Sequence, residues 1–316
     1  MPSVLVTPRS FGAHDPALWD ELHAAFDRVL AVPGDARDEV AAALAEADAY
    51  IAGVEAIDRA LLAGAPHLRI VARYGVGVDN VDLGAARELG VLVTNTPGAN
   101  SAAVAELTLG LLLALARRVP DSLTRVAAGE WPRVVGLGLA GKTLALVGLG
   151  AIGRLVADRA LAFGCRVVAA DPYAPEHPGV ERRDLADVLT GADFVSLHAP
   201  LTAETRGLVD AVFLARLAPG ALLVNTARAE LIDEAALLAA LETGRLAGVA
   251  LDALATEPPP PGHPLLGRPD VLVTPHMGAH TDQAADAMGR GAVDACLAVL
   301  AGRRPDHLVH APKEPV

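Results

Sequence analysis

Short, continuously apolar runs alternate with Ala/Leu-rich helical patterns along almost the whole chain, and no other feature narrows the fold so far. The first set is "VLVTP" (4–8), "AYIAG" (49–53), "LRIVARYG" (68–75) and "VLVTNTP" (91–97). The second is "TLALVGLG" (143–150), "RVVAADP" (166–172), "FVSLHAP" (194–200), "ALLVNTA" (221–227), "LAGVALDA" (246–253) and "VLVTP" (271–275). A strand with one wet face alternates apolar and polar residues, so runs without alternation predict strands covered on both faces. The intervening helices supply that cover and the crossovers of a parallel sheet. Two long helical patterns, at 100–119 and 281–302, flank the second set. The simplest assembly is an α/β chain of two doubly wound parallel-sheet domains. A domain of residues 99–284 is inserted into one made of 1–98 and 285–316, with the long helices carrying the chain out and back.

Composition limits the partners. Hydrophobic residues make up 52% of the 316 and charged residues 20%, so a large core can be buried. Net charge is −12, with no basic cluster beyond pairs such as Arg117-Arg118 and Arg303-Arg304. Such a surface repels nucleic-acid phosphates and anionic lipids, and neither is expected as a partner. Two cysteines, Cys165 and Cys296, make no disulfide or metal framework and read as small buried apolar residues. "MPSVLVTPRS" lacks a signal-peptide pattern, and "LTLGLLLALA" (107–116) falls short of the roughly 20 residues that span a bilayer. A soluble cytoplasmic protein is expected.

"KTLALVGLGAIGR" sets Gly148-x-Gly150-x-x-Gly153 directly after a strand and at the opening of a helix. Gly148 serves the tight turn, Gly150 admits a pyrophosphate to the backbone, and Gly153 permits close helix–strand packing. The helix N-terminus offers amide donors to the phosphates. The next strand ends at Asp171, placed to accept hydrogen bonds from an adenosine ribose. A carboxylate there repels a 2′-phosphate, and Pro172 and Tyr173 follow it rather than an arginine. The cofactor expected is NAD.

A nicotinamide cofactor moves hydride, and its partner proton needs a group titrating near neutrality. Of ten histidines, His14, His23, His67, His177, His263, His307 and His310 sit in polar or loop contexts that predict solvation. His198 ends a strand with no partner evident in the sequence. His276, in "VLVTPHMGAHT", follows a strand's C-terminal end, where doubly wound sheets place their ligands. His280 is a second candidate or a helix-start polar group. Asp252 and Glu257 follow other strands, Glu257 beside four prolines (258–261). Arg228, in "VNTARAELIDE", arrives after four apolar residues.

These segments resemble the D-isomer-specific 2-hydroxyacid dehydrogenases. The resemblance covers nearly the whole chain and is carried in order by "ARYGVGVDNVD", "NTPGANSAAVAE", "GKTLALVGLGAIGR", "VSLHAPLTAETRGLV", "VNTARAELIDEAAL", "GVALDALATEPPP" and "VTPHMGAHT". It implies a Rossmann NAD-binding domain within a flavodoxin-like substrate domain, and interconversion of a small D-2-hydroxy acid with its 2-oxo acid between them. Arg228 would bind the substrate's carboxylate and 2-oxo oxygen. His276 would be the acid/base, and Glu257 would orient it and favour its protonated form. Val76 and Gly77 would clasp the carboxylate. Val76, Gly148, Gly150, Ala151, Ile152, Gly153, Asp171, Ala199, Thr226, Ala227, Asp252, Gly278 and Ala279 match cofactor contacts. Trp131 and Arg133 would lie near the interface of a homodimer.

Departures from the family pattern carry their own expectations. The family has glycine after the arginine, where this chain has Ala229 and then Glu230. If that glycine uses positive φ, alanine costs about 1 kcal/mol or shifts the loop, and Glu230 could fold back on Arg228. Ala253-Leu254 replaces a valine–phenylalanine pair. Ending at 316, the chain leaves no room for an appended regulatory domain, so serine feedback is not expected. Formate or phosphite oxidation on the same scaffold, an NAD-sensing corepressor-like binding protein, and a catalytically silent paralogue are the alternatives. Arg73, beside the glycine loop, would meet either a substrate phosphate or a neighbouring acid.

Overall fold

The computed structural model describes residues 1–310, and the last residues of the expected 285–316 segment lie outside them. The strands are β1 (Ser3–Val6), β2 (Arg28–Ala31), β3 (Ala49–Ala52), β4 (Ile70–Arg73), β5 (Leu92–Thr94), β6 (Thr143–Val147), β7 (Arg166–Ala170), β8 (Val180–Arg182), β9 (Phe194–Leu197), β10 (Ala221–Asn225), β11 (Leu246–Leu251), β12 (Val271–Val273) and β13 (Leu308–His310). They form two sheets in two compact units, Met1–Asn100 with Ala279–Val316, and Ser101–Gly278.

The first unit orders its strands β13-β5-β4-β3-β1-β2. All neighbours are parallel except β13, which runs antiparallel to β5. Without β13 this is the flavodoxin-like order, whose direction of winding reverses between β1 and β3. Leu5, Tyr50, Ala52, Val71 and Val93 fill one core of this unit. The Asp282–Leu300 helix packs against β3 and β4, and Tyr74 donates to its Ala285 carbonyl (3.0 Å).

The second unit orders its strands β12-β11-β10-β9-β6-β7-β8, all parallel. This is the Rossmann order, reversing between β6 and β9. Alternate residues of single strands enter different cores. Leu144 and Leu146 join one cluster and Ala145 and Val147 the other, and Leu222 and Val224 part likewise from Ala221 and Leu223. A sheet buried on both faces is what the unbroken apolar runs required.

Three strands escape a reading based on apolar runs. β2, β8 and β13 each occupy an edge, and no residue of β2 or β8 is fully buried. An edge strand needs no apolar run, because one side of it faces solvent. The helical pattern at 100–119 also divides. Ser101–Ala116 ends at a turn in which Arg118 takes φ 51°, and a separate helix runs Val119–Ala127.

Candidate active site

The glycine triplet sits at the switch point of the second unit's sheet. β6 pairs with β7 and β9, so the loop leaving Val147 emerges between Ala170 and Leu197. Gly148 has φ +100°, and a Cβ there would lie 2.7 Å from the His198 carbonyl carbon. At Gly153 a Cβ would come within 2.3 Å of the Gly148 carbonyl oxygen. At Gly150 it would meet nothing within 4 Å. Packing demands Gly148 and Gly153, whereas Gly150 faces open space. The helix Ala151–Ala162 starts there with no side-chain cap, Ala151 exposed and Ile152 half-buried on the core. Uncapped amides beside a side-chain-free approach suit a pyrophosphate.

Asp171 stands beside the glycine turn. Its carboxylate accepts from the amides of Leu149 (2.8 Å), Tyr173 (2.9 Å) and Ala174 (2.9 Å). Partial burial opposes ionisation, but those three amides and nearby Arg182 outweigh it and hold the carboxyl below its ordinary range. It is therefore an anion at neutral pH, able to accept from ribose hydroxyls and to repel a 2′-phosphate. Ala199 lies half-buried at the exit of β9, its amide beside Gly148.

The loops after the neighbouring strands β10, β11 and β12 carry Arg228, Asp252 with Glu257, and His276. Asn225, fully buried at the end of β10, accepts from the Ala227 amide (3.0 Å) and donates to the Arg228 carbonyl (2.7 Å). That bracket fixes the loop from which half-buried Arg228 projects. Arg228 donates through one terminal nitrogen to the Ala227 carbonyl (2.8 Å). Ala229 begins a 3₁₀ turn, Ala229–Leu231, and does not have positive φ. Alanine therefore carries no left-handed strain there, and the expected backbone cost is absent. Gly207 donates to the Glu230 carbonyl (2.8 Å), which ties the turn to the body of the unit. The Thr226 hydroxyl lies 2.8 Å from that of Thr108, whose own proton goes to the Val104 carbonyl. Thr226 is thus the donor of that pair.

Asp252, 3% exposed after β11, turns its carboxylate toward the loop after β12. It accepts from the Thr274 hydroxyl (2.6 Å) and from the amides of Met277 (2.9 Å) and Gly278 (2.7 Å). Those bonds bracket His276, which holds φ 52°. A non-glycine residue in that region persists only where its surroundings enforce it, and such strain gathers at functional sites. His276 Nδ1 lies 2.9 Å from Glu257 Oε2, and Glu257 Oε1 accepts from the Leu254 amide (2.9 Å). Facing a carboxylate, Nδ1 carries the proton and donates, which leaves Nε2 as the outward nitrogen. Both side chains are a little over one-third exposed, so the pair is open to a ligand.

His198 is not a rival. Its Nε2 pairs with the Ser196 hydroxyl (2.9 Å), and burial pushes its pKa down to about 4, so it is neutral at pH 7. His177 and His263, expected to be solvated, instead lie against Asp158 (2.7 Å) and Glu234 (3.6 Å).

In the first unit, Val76 and Gly77 lie in the loop after β4. Val76 is 36% exposed, and its carbonyl accepts from Asn95 (2.8 Å). Arg73 is 5% exposed and gives Nε to the Gly77 carbonyl (2.9 Å). Ala279 belongs to this unit, its carbonyl accepting from Thr281 (3.0 Å), while Gly278 ends the other. Sequence reasoning missed Asn225 and Thr108. The signal for Asn225 was present: it is the one polar residue in β10.

Residues 109–278, more than half of the chain, match the model of the D-isomer specific 2-hydroxyacid dehydrogenase NAD binding domain. The chain belongs to the D-isomer-specific 2-hydroxyacid dehydrogenase family. NAD is the nucleotide of this family's Rossmann unit, and Gly148, Gly150, Gly153 and Asp171 fit it. The chain is 43% identical over 309 residues to D-3-phosphoglycerate dehydrogenase of Mycobacterium bovis, covering 96% of this chain and 57% of that protein. It therefore spans little more than half the length of that relative. Identity to hydroxypyruvate reductase of Thermotoga maritima is 39% over 259 residues, 80% of this chain and 85% of that one. A solved structure from Thermus thermophilus superposes with a TM-score of 0.89 at 41% identity, covering 98% of this chain and all of its own.

Proposed function

We propose that the protein is an NAD-dependent oxidoreductase that interconverts a small D-2-hydroxy acid and its 2-oxo acid, with His276 as acid/base. The observation that carries this reading is the His276–Glu257 pair (2.9 Å), held on a strained turn one strand beyond the Asp252 loop and two beyond Arg228. The Arg228 guanidinium binds the substrate carboxylate and 2-oxo oxygen through its planar fork of donors. The Val76 and Gly77 amides of the first unit are proposed as donors to a substrate carboxylate. NADH, when bound, supplies the hydride. His276 Nε2 gives its proton to the carbonyl oxygen as C2 is reduced, and Glu257 stabilises the imidazolium before that transfer. In the oxidative direction Nε2 takes the hydroxyl proton. Asp252 acts through the loop it ties, setting where His276 stands.

Pairing with a second copy is part of the same proposal. The helix Val119–Ala127 buries none of its residues and exposes Val119 (41%), Leu123 (66%) and Val126 (45%). Trp131 (88%) and Val135 (89%) follow on the next segment. Val119, Leu123 and Val126 share one helix face at i, i+4 and i+7, exposed apolar surface of this kind marks an interaction surface, and a symmetric homodimer is the assembly we assign to it. No helix among the described residues is long and apolar enough to cross a membrane. The cytoplasm, with its NAD pool, is the proposed location.

The test is NADH oxidation across glyoxylate, hydroxypyruvate, pyruvate, 2-oxoglutarate and 3-phosphohydroxypyruvate, with chiral analysis of the product. Turnover of at least one of them to the D-hydroxy acid is expected. Tight NADH binding with none reduced would favour the binding-protein reading, and oxidation of formate or phosphite alone would favour the sibling chemistry.

A further inference from the structure

β8 is the edge strand beside β7, and its last residue is Arg182. Register sets Arg182 opposite Ala169, so this cation stands level with the end of the strand from which Asp171 emerges. Alternate residues of a strand share a face, and Arg182 therefore shares one with Val180 rather than with Glu181. Val180 packs on the core that holds Val156, Ala157 and Ala160 of the Ala151–Ala162 helix. Arg182 thus lies on the side of the sheet covered by the helix that opens at the glycine turn.

Its guanidinium reaches Asp171, where Nη2 donates to the main-chain carbonyl (2.9 Å). After burial, which opposes ionisation, and the three amides, which favour it, the Arg182 charge also favours the Asp171 anion. Two other arginines of this edge are taken. Glu181 pairs with Arg166 (2.7 Å) and accepts from Arg183 Nε (2.9 Å). Arg182 is exposed and forms no salt bridge among the described residues. In the sequence, Pro172 and Tyr173 stand where an arginine would signal a 2′-phosphate. The arginine arrives from the next strand instead, 11 residues beyond Asp171.

We propose that Arg182 opens this site to a second cofactor: NADPH binds as well as NADH, more weakly, with its 2′-phosphate held by the Arg182 guanidinium beside Asp171. The proposal rests on the nucleotide reading of the Gly148–Asp171 turn and not on the choice of 2-oxo acid. A ribose whose hydroxyls reach the Asp171 carboxylate brings its 2′-oxygen to the same place. A phosphate on that oxygen meets a carboxylate that repels it and a guanidinium whose planar fork matches its oxygens. Each of these partly exposed charges shifts binding on the order of tenfold, in opposite directions. Because Arg182 is exposed and bonded only to a carbonyl, its fork turns to a phosphate without breaking an ion pair.

The experiment measures dissociation constants for NADH and NADPH by calorimetric titration, which needs no turnover. It uses the native protein, Arg182→Gln, Arg182→Lys, Asp171→Asn and the Asp171→Asn/Arg182→Gln double variant. The native protein should bind NADPH about tenfold more weakly than NADH. Arg182→Gln should widen that gap by a further factor of about ten, through NADPH alone. Arg182→Lys, which keeps the charge, should widen it much less. Asp171→Asn should close or invert the gap, and the double variant should reopen it. An NADH-to-NADPH ratio unchanged by Arg182→Gln would overturn the proposal. Equal weakening of both nucleotides would overturn it too, because Arg182 would then only brace the Asp171 turn. Undetectable NADPH binding by the native protein would also overturn it, and failure to bind either nucleotide would remove the nucleotide site along with it.

Discussion

At the scale of residues, the groups proposed to react stood out because each is a polar side chain in the loop that follows an apolar run. Arg228 and Glu257 follow the buried strands β10 and β11, and His276 follows the edge strand β12. Their supports were less legible. Asn225, Asp252 and Thr108 work through bonds to loops and side chains that are distant in sequence or defined only once the chain has turned. Backbone conformation was legible least. Ala229 raised an expectation of strain, but of the residues discussed for the site it is His276 that holds positive φ. The 3₁₀ turn at Ala229 has a direct consequence for Ala229→Gly. KM for the 2-oxo acid should stay unchanged, while stability falls by about 0.5–1 kcal/mol, because glycine adds entropy to the unfolded chain at a turn that needs no extra freedom. Steady-state kinetics with thermal unfolding checks both parts, and a lowered KM would mean that alanine does distort the Arg228 loop.

At the scale of elements, the fingerprint was read correctly because strand, turn and helix are local in sequence. Edge strands and helix breaks were not, since they depend on which side of an element is left uncovered. The apolar pattern through Ala116 gave no sign of the turn at Arg118, where the chain leaves one core and enters an exposed helix. The glycines of the fingerprint divide by role, and substitution should separate them. Gly150→Val adds its side chain to open space, so the melting temperature should hold while NADH affinity drops by at least tenfold. Gly153→Val drives a Cβ into the Gly148 carbonyl and should lower the melting temperature itself. Calorimetric titration and thermal unfolding of the two variants give the contrast. Equal NADH binding by Gly150→Val and the native protein would remove the pyrophosphate from that turn.

At the scale of the whole molecule, continuous apolar runs predict strands covered on both faces, and β1, β3, β4 and β10 are buried at every residue. Val119, Leu123, Val126, Trp131 and Val135 are among the large apolar side chains left exposed, and they are the surface proposed for the homodimer. Leu123→Asp should shift the protein toward monomer in light scattering without unfolding it, because that side chain meets water in the isolated chain. An unchanged mass would place the interface elsewhere. The central claim is that His276 exchanges the proton that accompanies hydride transfer. Its most direct measurement is NADH oxidation by His276→Ala, with the best 2-oxo acid at saturation and NADH affinity measured alongside. A fall in kcat of about 10²–10⁴ with NADH affinity preserved is the predicted result, and undiminished kcat would contradict it.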